Sequence, residues 1–194
     1  MDEVLGLIMR DAAFYQSSGG GVTFSGGEAM LQIDFLSALL RECRIHALHS
    51  AIDTAGAVPW NYFERVLPDT DLFLYDIKAA NEEKYSLGTG IKSPLVFENL
   101  HRLCHAGARV RIRVPIIPGY NDTVDEIGSI GKLLSEVGEL EGIELLRFHK
   151  MGGPKYASLG QVYRAENLQS PTDEHMDTLR GVLQVYVNQI VEIG

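Results

Sequence analysis

Cysteine is scarce in this sequence: Cys43 and Cys104 are the only two among 194 residues. Two isolated thiols cannot build the disulfide framework on which small secreted domains depend. Neither belongs to a Cys-x-x-Cys or similar pair that would gather a metal cluster locally. Also absent is any apolar run long enough to cross a bilayer. The start, Met1-Asp2-Glu3-Val4, has neither the basic residues nor the apolar core of a secretory signal. Positive charge is in short supply as well, with 17 Lys and Arg against 26 Asp and Glu, a net charge of -9 and a pI near 5.1. That balance speaks against a nucleic-acid surface. These absences predict a cytoplasmic protein with reduced thiols. No repeat, charged tail or low-complexity linker interrupts it, so one domain over residues 1–194 is expected.

What is present is an alternation of two periodicities. Val4, Leu5, Leu7, Ile8, Ala12 and Phe14 recur at near-helical spacing and predict an opening helix over 2–14, broken by Ser17 to Gly21. A short β-branched and aromatic run from Val22 to Ser25 reads as the first strand. Further helices are expected over 32–46, 59–66, 94–106, 122–137 and 172–185, with a short one after a cap at Asn81. Strands are expected between them over 47–53, 71–78, 109–115, 143–149 and 188–193. Lys150 to Pro171 has the glycine and proline content of a loop. Strand–helix alternation throughout predicts an α/β fold of parallel strands joined by right-handed crossovers, either a flat doubly wound sheet or an open barrel. Arg109, Arg111 and Arg113 share one face of their strand while Val110, Ile112 and Val114 share the other. A strand sandwiched between two apolar helix layers would not look so, and the open barrel, with one face wet or ligand-lined, is favoured.

Parallel α/β sheets bind ligands beyond the carboxyl ends of their strands, and the unusual polar residues gather there. Glu28 follows the first strand, Asp53 and Thr54 end the second, Asp76 and Lys78 the third, Arg113 the fourth and His149 the fifth. Gly26 and Gly27 let the backbone approach a small molecule without a Cβ in the way, and Glu28 adds a carboxylate that suits a ligand amine. Alternatively, the glycines make a tight connection and Glu28 favours a helix N-terminus. Asp76 and Lys78 point the same way, either to pair with each other or to face a ligand. Asp53 and Asp76 at neighbouring strand ends would repel, and one would hold a proton unless a cation intervenes. For His149 the alternative is a satisfied histidine beneath the following loop, and for Arg113 a surface ion pair.

Taken as a string, Ser25-Gly26-Gly27-Glu28 resembles the Ser-Gly-Gly-Glu segment of radical S-adenosylmethionine (SAM) enzymes, most closely the activating enzymes of glycyl radical enzymes. The resemblance continues in order along nearly all of the chain. Asp53 to Gly56 is similar to the family's Asp-Thr-x-Gly, Asp71 to Lys78 to its Asp-Leu-Phe-Leu-Tyr-Asp-Ile-Lys, Ile112 to Asp122 to its Ile-Arg-x-Pro-x-Ile-Pro-Gly-x-Asn-Asp, and Leu145 to Gly160 to its Leu-Leu-x-(Phe/Tyr)-His-x-x-Gly and Lys-Tyr-x-x-Leu-Gly. It implies an incomplete parallel β/α barrel of the radical SAM type, of which this sequence is the C-terminal portion. It further implies that Gly26, Gly27 and Glu28 hold the methionyl end of SAM, that Asp76, Ile77, Lys78 and His149 line the rest of its site, and that Arg113 stands at the active-site opening. A monovalent cation is implied at Asp53, Thr54 and Asp76. The reaction implied is reductive SAM cleavage and abstraction of a glycine hydrogen from a partner such as pyruvate formate-lyase, with flavodoxin or ferredoxin as electron donor. The family's first strand and its Cys-x-x-x-Cys-x-x-Cys loop, which holds a 4Fe-4S cluster, have no counterpart in this sequence. The chain alone is therefore expected to be inactive, with a non-catalytic SAM- or partner-binding module as the alternative.

Overall fold

Six parallel strands lie side by side in the order in which the chain makes them, in a computed structural model that describes residues 1–150, 160 and 165–194. They are β1 (Gly21–Phe24), β2 (His49–Thr54), β3 (Leu72–Asp76), β4 (Val110–Ile116), β5 (Gly142–Arg147) and β6 (Val191–Ile193). Between them run α3 (Ile33–Ile45), α4 (Trp60–Val66), α5 (Glu82–Thr89), α6 (Ser93–His105), α7 (Val124–Leu134) and α8 (Asp173–Gln184), preceded by α1 (Asp2–Arg10) and α2 (Ala12–Ser18). When each strand neighbours the next and all are parallel, right-handed crossovers bring the helices to the same side. One sheet face is thus covered and the other is left concave and open, as the alternation in β4 anticipated.

The register sorts the residues between these faces. Ile52, Phe73, Tyr75, Ile112, Val114, Ile143 and Leu145 are buried under the helices, where Leu36, Phe63, Leu100, Ile127, Ile130, Met176 and Leu179 join them in one core. Their neighbours along the strands, Asp53, Asp76, Arg111, Arg113 and Glu144, are only partly buried on the opposite face. Fully burying aliphatic and aromatic side chains of this size contributes about 1.5–3 kcal/mol each, so the helix-covered face stabilises the fold and the open face is free to carry polar groups.

Local chemistry sets the element ends. Asn81 accepts from the Lys84 N–H at 3.0 Å and begins α5 as expected, and Gly107, with φ 72°, follows α6. The opening helix divides at Asp11 into α1 and α2 rather than running unbroken. A single 3-10 turn (Ala29–Gln32) separates β1 from α3 because the Glu28 carboxylate caps it. β5 stops at Arg147, two residues earlier than expected, where the guanidinium turns to the Pro171 carbonyl at 2.7 Å and to Asp173 at 2.6 Å. β6 starts only at Val191, since Gln184 ties down the preceding loop through the carbonyls of Val187 and Gln189 and the Val191 N–H. The expected loop over 150–171 lies partly outside the described residues.

Ala47 explains why β2 begins at His49 and not before. It is the one non-glycine residue at positive φ among the described residues, at 54°, in the position after a helix where glycine is usual. The Leu48 N–H closes the turn on the Cys43 carbonyl at 2.9 Å. Relief of the left-handed strain outweighs the greater freedom glycine gives the unfolded chain. Ala47→Gly is therefore expected to raise stability by about 0.5 kcal/mol, read from the urea midpoint; a lower midpoint would mean that the turn carries no strain.

Candidate functional site

Glu28 is the joint between the first two strand ends. Its Oε2 accepts from the Thr54 hydroxyl at 2.9 Å and from the Ala55 N–H at 3.0 Å, and its Oε1 from the Met30 N–H at 3.2 Å. An ionised carboxylate offers about four acceptor positions, so among the described residues three are engaged and one remains. The capping role considered from the sequence is present, together with a bracing role that the sequence did not suggest. Gly26, at φ 138°, and Gly27 are both exposed, and a Cβ at either would meet nothing within 4 Å. The turn therefore presents bare backbone at the rim.

Gly27 and Glu28 line a cleft of about 690 Å³ whose other walls include Ala55, Val58, Lys78, Ile117 and Tyr120. That size is usual for small-molecule sites, as is a mainly apolar wall with a few charged groups. Gly88 closes against Tyr120, whose hydroxyl donates to the Lys84 carbonyl at 3.1 Å. Ile77 differs from its neighbours: its side chain is fully buried in the core and its N–H donates to the Arg113 carbonyl at 2.9 Å, so neither is open to a ligand.

Asp53, Asp76 and Arg113 form a second group on the concave face, joined to the cleft by Lys78. Arg113 lies across from Asp76 in the register, and its guanidinium reaches Asp76 at 3.4 Å and Asp53 at 3.5 Å. Lys78 Nζ meets the other Asp76 oxygen at 3.3 Å. With side-chain exposures of 24% for Asp53, 18% for Asp76 and 22% for Arg113, these are partly desolvated charges and not the surface pair weighed as an alternative for Arg113. Burial raises the Asp53 pKa, Arg113 opposes that rise and the Asp76 charge reinforces it. The favourable contribution of Asp53 is thus complete below the ordinary carboxylate range and is lost as pH climbs through the raised value.

Two buried side chains to which the sequence assigns no role hold these strand ends in place. Asn121 accepts from the Ile117 N–H at 2.7 Å and donates to the carbonyls of Lys78 and Pro115 at 2.9 and 2.7 Å, which locks the end of β3 to that of β4. Glu126 accepts from the Ala80 N–H and from Lys84 Nζ, both at 2.8 Å. Polar residues in a loop and at a helix start read as caps from sequence alone, and only their burial marks them out. His149, in contrast, is exposed beyond the end of β5 and does not line the cleft. The residues that follow it, 151–159, with most of the Lys-Tyr-x-x-Leu-Gly segment, lie outside the described residues.

Comparison with known proteins identifies what this arrangement belongs to. No protein-family model matches the sequence. The trans-4-hydroxy-L-proline dehydratase activating enzyme of Clostridioides difficile is 37% identical over 91% of this chain and 59% of its own length. The pyruvate formate-lyase 1-activating enzyme of Escherichia coli is 33% identical over 92% of this chain and 73% of its own. The chain belongs to the glycyl radical enzyme activating enzymes. A solved domain of the pyruvate-formate lyase-activating enzyme from Bacteroides vulgatus superposes with a TM-score of 0.76 and 26% identity, covering 90% of this chain and 99% of that one. The open, parallel radical SAM fold is thereby shared. The chain spans little more than half the length of some of the curated relatives it matches.

Within this activating-enzyme chain the cysteines lie away from the strand ends. Cys43 is buried on α3 and Cys104 half-buried on α6, and burial raises both thiol pKa values, that of Cys104 to about 11. A raised pKa leaves little thiolate, the form that ligates iron. Two such thiols do not fit a 4Fe-4S cluster that needs three thiolate ligands from one short loop. Among the described residues no group of three His, Cys, Asp or Glu is placed to hold a metal ion, and no helix is long and apolar enough to cross a membrane.

Proposed function

We propose that this chain holds SAM over the strand ends and presents it to a glycyl radical enzyme such as pyruvate formate-lyase, as the C-terminal part of an activating enzyme. The observation that carries the reading is that Gly27, Glu28 and Lys78 line one cleft, with the bare backbone of Gly26 beside them. In the reaction implied, SAM is cleaved reductively and supplies the group that abstracts a glycine α-hydrogen. The acceptor position that Glu28 has left among the described residues and the Gly26-Gly27 backbone suit the methionyl ammonium, and Lys78 suits a carboxylate. In this reading Asp76 orients Lys78, Ile77 contributes its carbonyl, His149 belongs to the rest of the SAM site beyond the end of β5, and Arg113 stands at the opening through which a partner's glycyl loop enters.

Electron transfer from flavodoxin or ferredoxin belongs to an assembly that carries the cluster. With two cysteines the chain alone is inactive in this reading, and the same cysteine count favours a second one, a non-catalytic SAM- or partner-binding module. The two readings part on one result, SAM cleavage after a cluster-binding segment is joined to the chain: turnover supports the activase, binding without cleavage the module. The binding step common to both is tested by calorimetry with SAM. Glu28→Gln and Asp76→Asn are each expected to weaken binding about tenfold, the loss of one charge-assisted contact. Unchanged affinity in both variants would place the SAM site elsewhere.

A further inference from the structure

Two carboxylates on neighbouring strands of the concave face require a positive charge between them, and the chain supplies its own. The Arg113 guanidinium reaches Asp53 Oδ2 at 3.5 Å and Asp76 Oδ1 at 3.4 Å. Both Asp76 Oδ1 and Arg113 Nε are buried and make no geometrically sound hydrogen bond among the described residues. The contact is therefore charge pairing, not the bidentate fork by which arginine clamps a carboxylate. A guanidinium held by charge alone, with a donor left over, is easier to displace than a forked one.

Thr54 does not complete a cation site. Its hydroxyl donates to Glu28 at 2.9 Å and accepts from the Gly56 N–H at 3.0 Å, and the residue is 2% exposed. A monovalent ion at Asp53, Thr54 and Asp76 thus does not fit the side chains as they are arranged. We infer that Arg113 is the resident counter-ion of the Asp53/Asp76 pair and gates it, so that a cation reaches these carboxylates only when the guanidinium withdraws. Arg113 and a bound cation exclude one another, because either one neutralises the repulsion and both together would place positive charges within a few ångströms. The inference concerns the ligand-free chain and stands independently of the SAM reading.

Thermal unfolding of the whole chain in potassium, sodium and choline chloride at equal ionic strength tests it. For the native sequence the three midpoints are expected to coincide within about 1 °C, since the guanidinium already fills the role. Arg113→Gln is expected to unfold at a lower temperature in choline chloride and to regain about 3 °C or more in potassium or sodium chloride by mass action. If Arg113→Gln does not fold, the double variant Asp53→Asn/Arg113→Gln, which removes the repulsion, is expected to restore folding. A potassium-specific rise in the native midpoint that Asp53→Asn abolishes would overturn the inference. A folded Arg113→Gln chain indifferent to the cation would do the same, as would a double variant no more stable than the single one.

Discussion

Gly56→Ala is expected to cost the chain about 4 kcal/mol or more, a large part of the roughly 5–15 kcal/mol by which domains are ordinarily stable, whereas Gly90→Ala costs about 1 kcal/mol. Both glycines have φ 73°, so the penalty of placing an L side chain in the left-handed region is common to the two. They differ in what surrounds them. A Cβ at Gly90 meets nothing within 4 Å, while one at Gly56 overlaps the hydroxyl and ring of Tyr75. Tyr75 cannot yield: it is fully buried, and its hydroxyl donates to the Val96 carbonyl at 2.6 Å. Nor can the loop lift away, since Asn99 Nδ2 donates to the carbonyls of both Gly56 and Val58 at 2.8 Å. Urea unfolding of the two variants separates the contributions. Equal losses at the two positions would show that backbone conformation alone, and not the contact with Tyr75, requires glycine at 56.

The same glycine illustrates what a sequence discloses. Asp53-Thr54-Ala55-Gly56 was recognisable as a motif, and the strand-end carboxylate within it as a site candidate, because a strand fixes side-chain direction by counting in twos. The alternation in Arg109 to Val114 likewise revealed a sheet with one dry and one wet face, which the observed register repeats in Asp53, Asp76 and Arg113. What counting cannot supply is the distance between side chains of different strands. That Arg113 stands between Asp53 and Asp76 depends on the stagger of β2, β3 and β4, and each of the three residues alone allowed an unrelated partner. The roles of Thr54 and Glu28 were hidden for the same reason, because their hydrogen bond joins residues from two different strand ends. Element ends moved where a side chain made a tertiary bond, as Arg147 does with Pro171 and Gln184 with Val191, against a local pattern that would have carried the strand further in each case.

Asn121→Leu is expected to lower stability by about 3–5 kcal/mol and to disorder the Lys78 side of the cleft with it. The side chain is fully buried and serves three backbone groups, the N–H of Ile117 and the carbonyls of Lys78 and Pro115. Leucine has the same branched skeleton and is bulkier, so no cavity is left and the loss comes chiefly from polar groups stranded in the interior; each such group costs about 1–3 kcal/mol, and the three share some relief if the loop shifts. Asn121→Asp gives a sharper test, since it keeps the acceptor for Ile117 but sets an anion against two carbonyl oxygens. Its carboxyl pKa is then raised in the folded chain, so the variant is most stable below the ordinary aspartate range and loses stability as pH rises toward neutrality. The native chain lacks this dependence at position 121, and the difference between the two pH profiles isolates the contribution of the amide. Amide exchange at Ala80 and Ile117 reports whether the end of β3 loosens together with the turn after β4. An Asn121→Leu chain that loses less than about 1 kcal/mol, or an Asn121→Asp chain whose stability follows the native pH profile, would mean that these strand ends are held by Glu126 and the core alone.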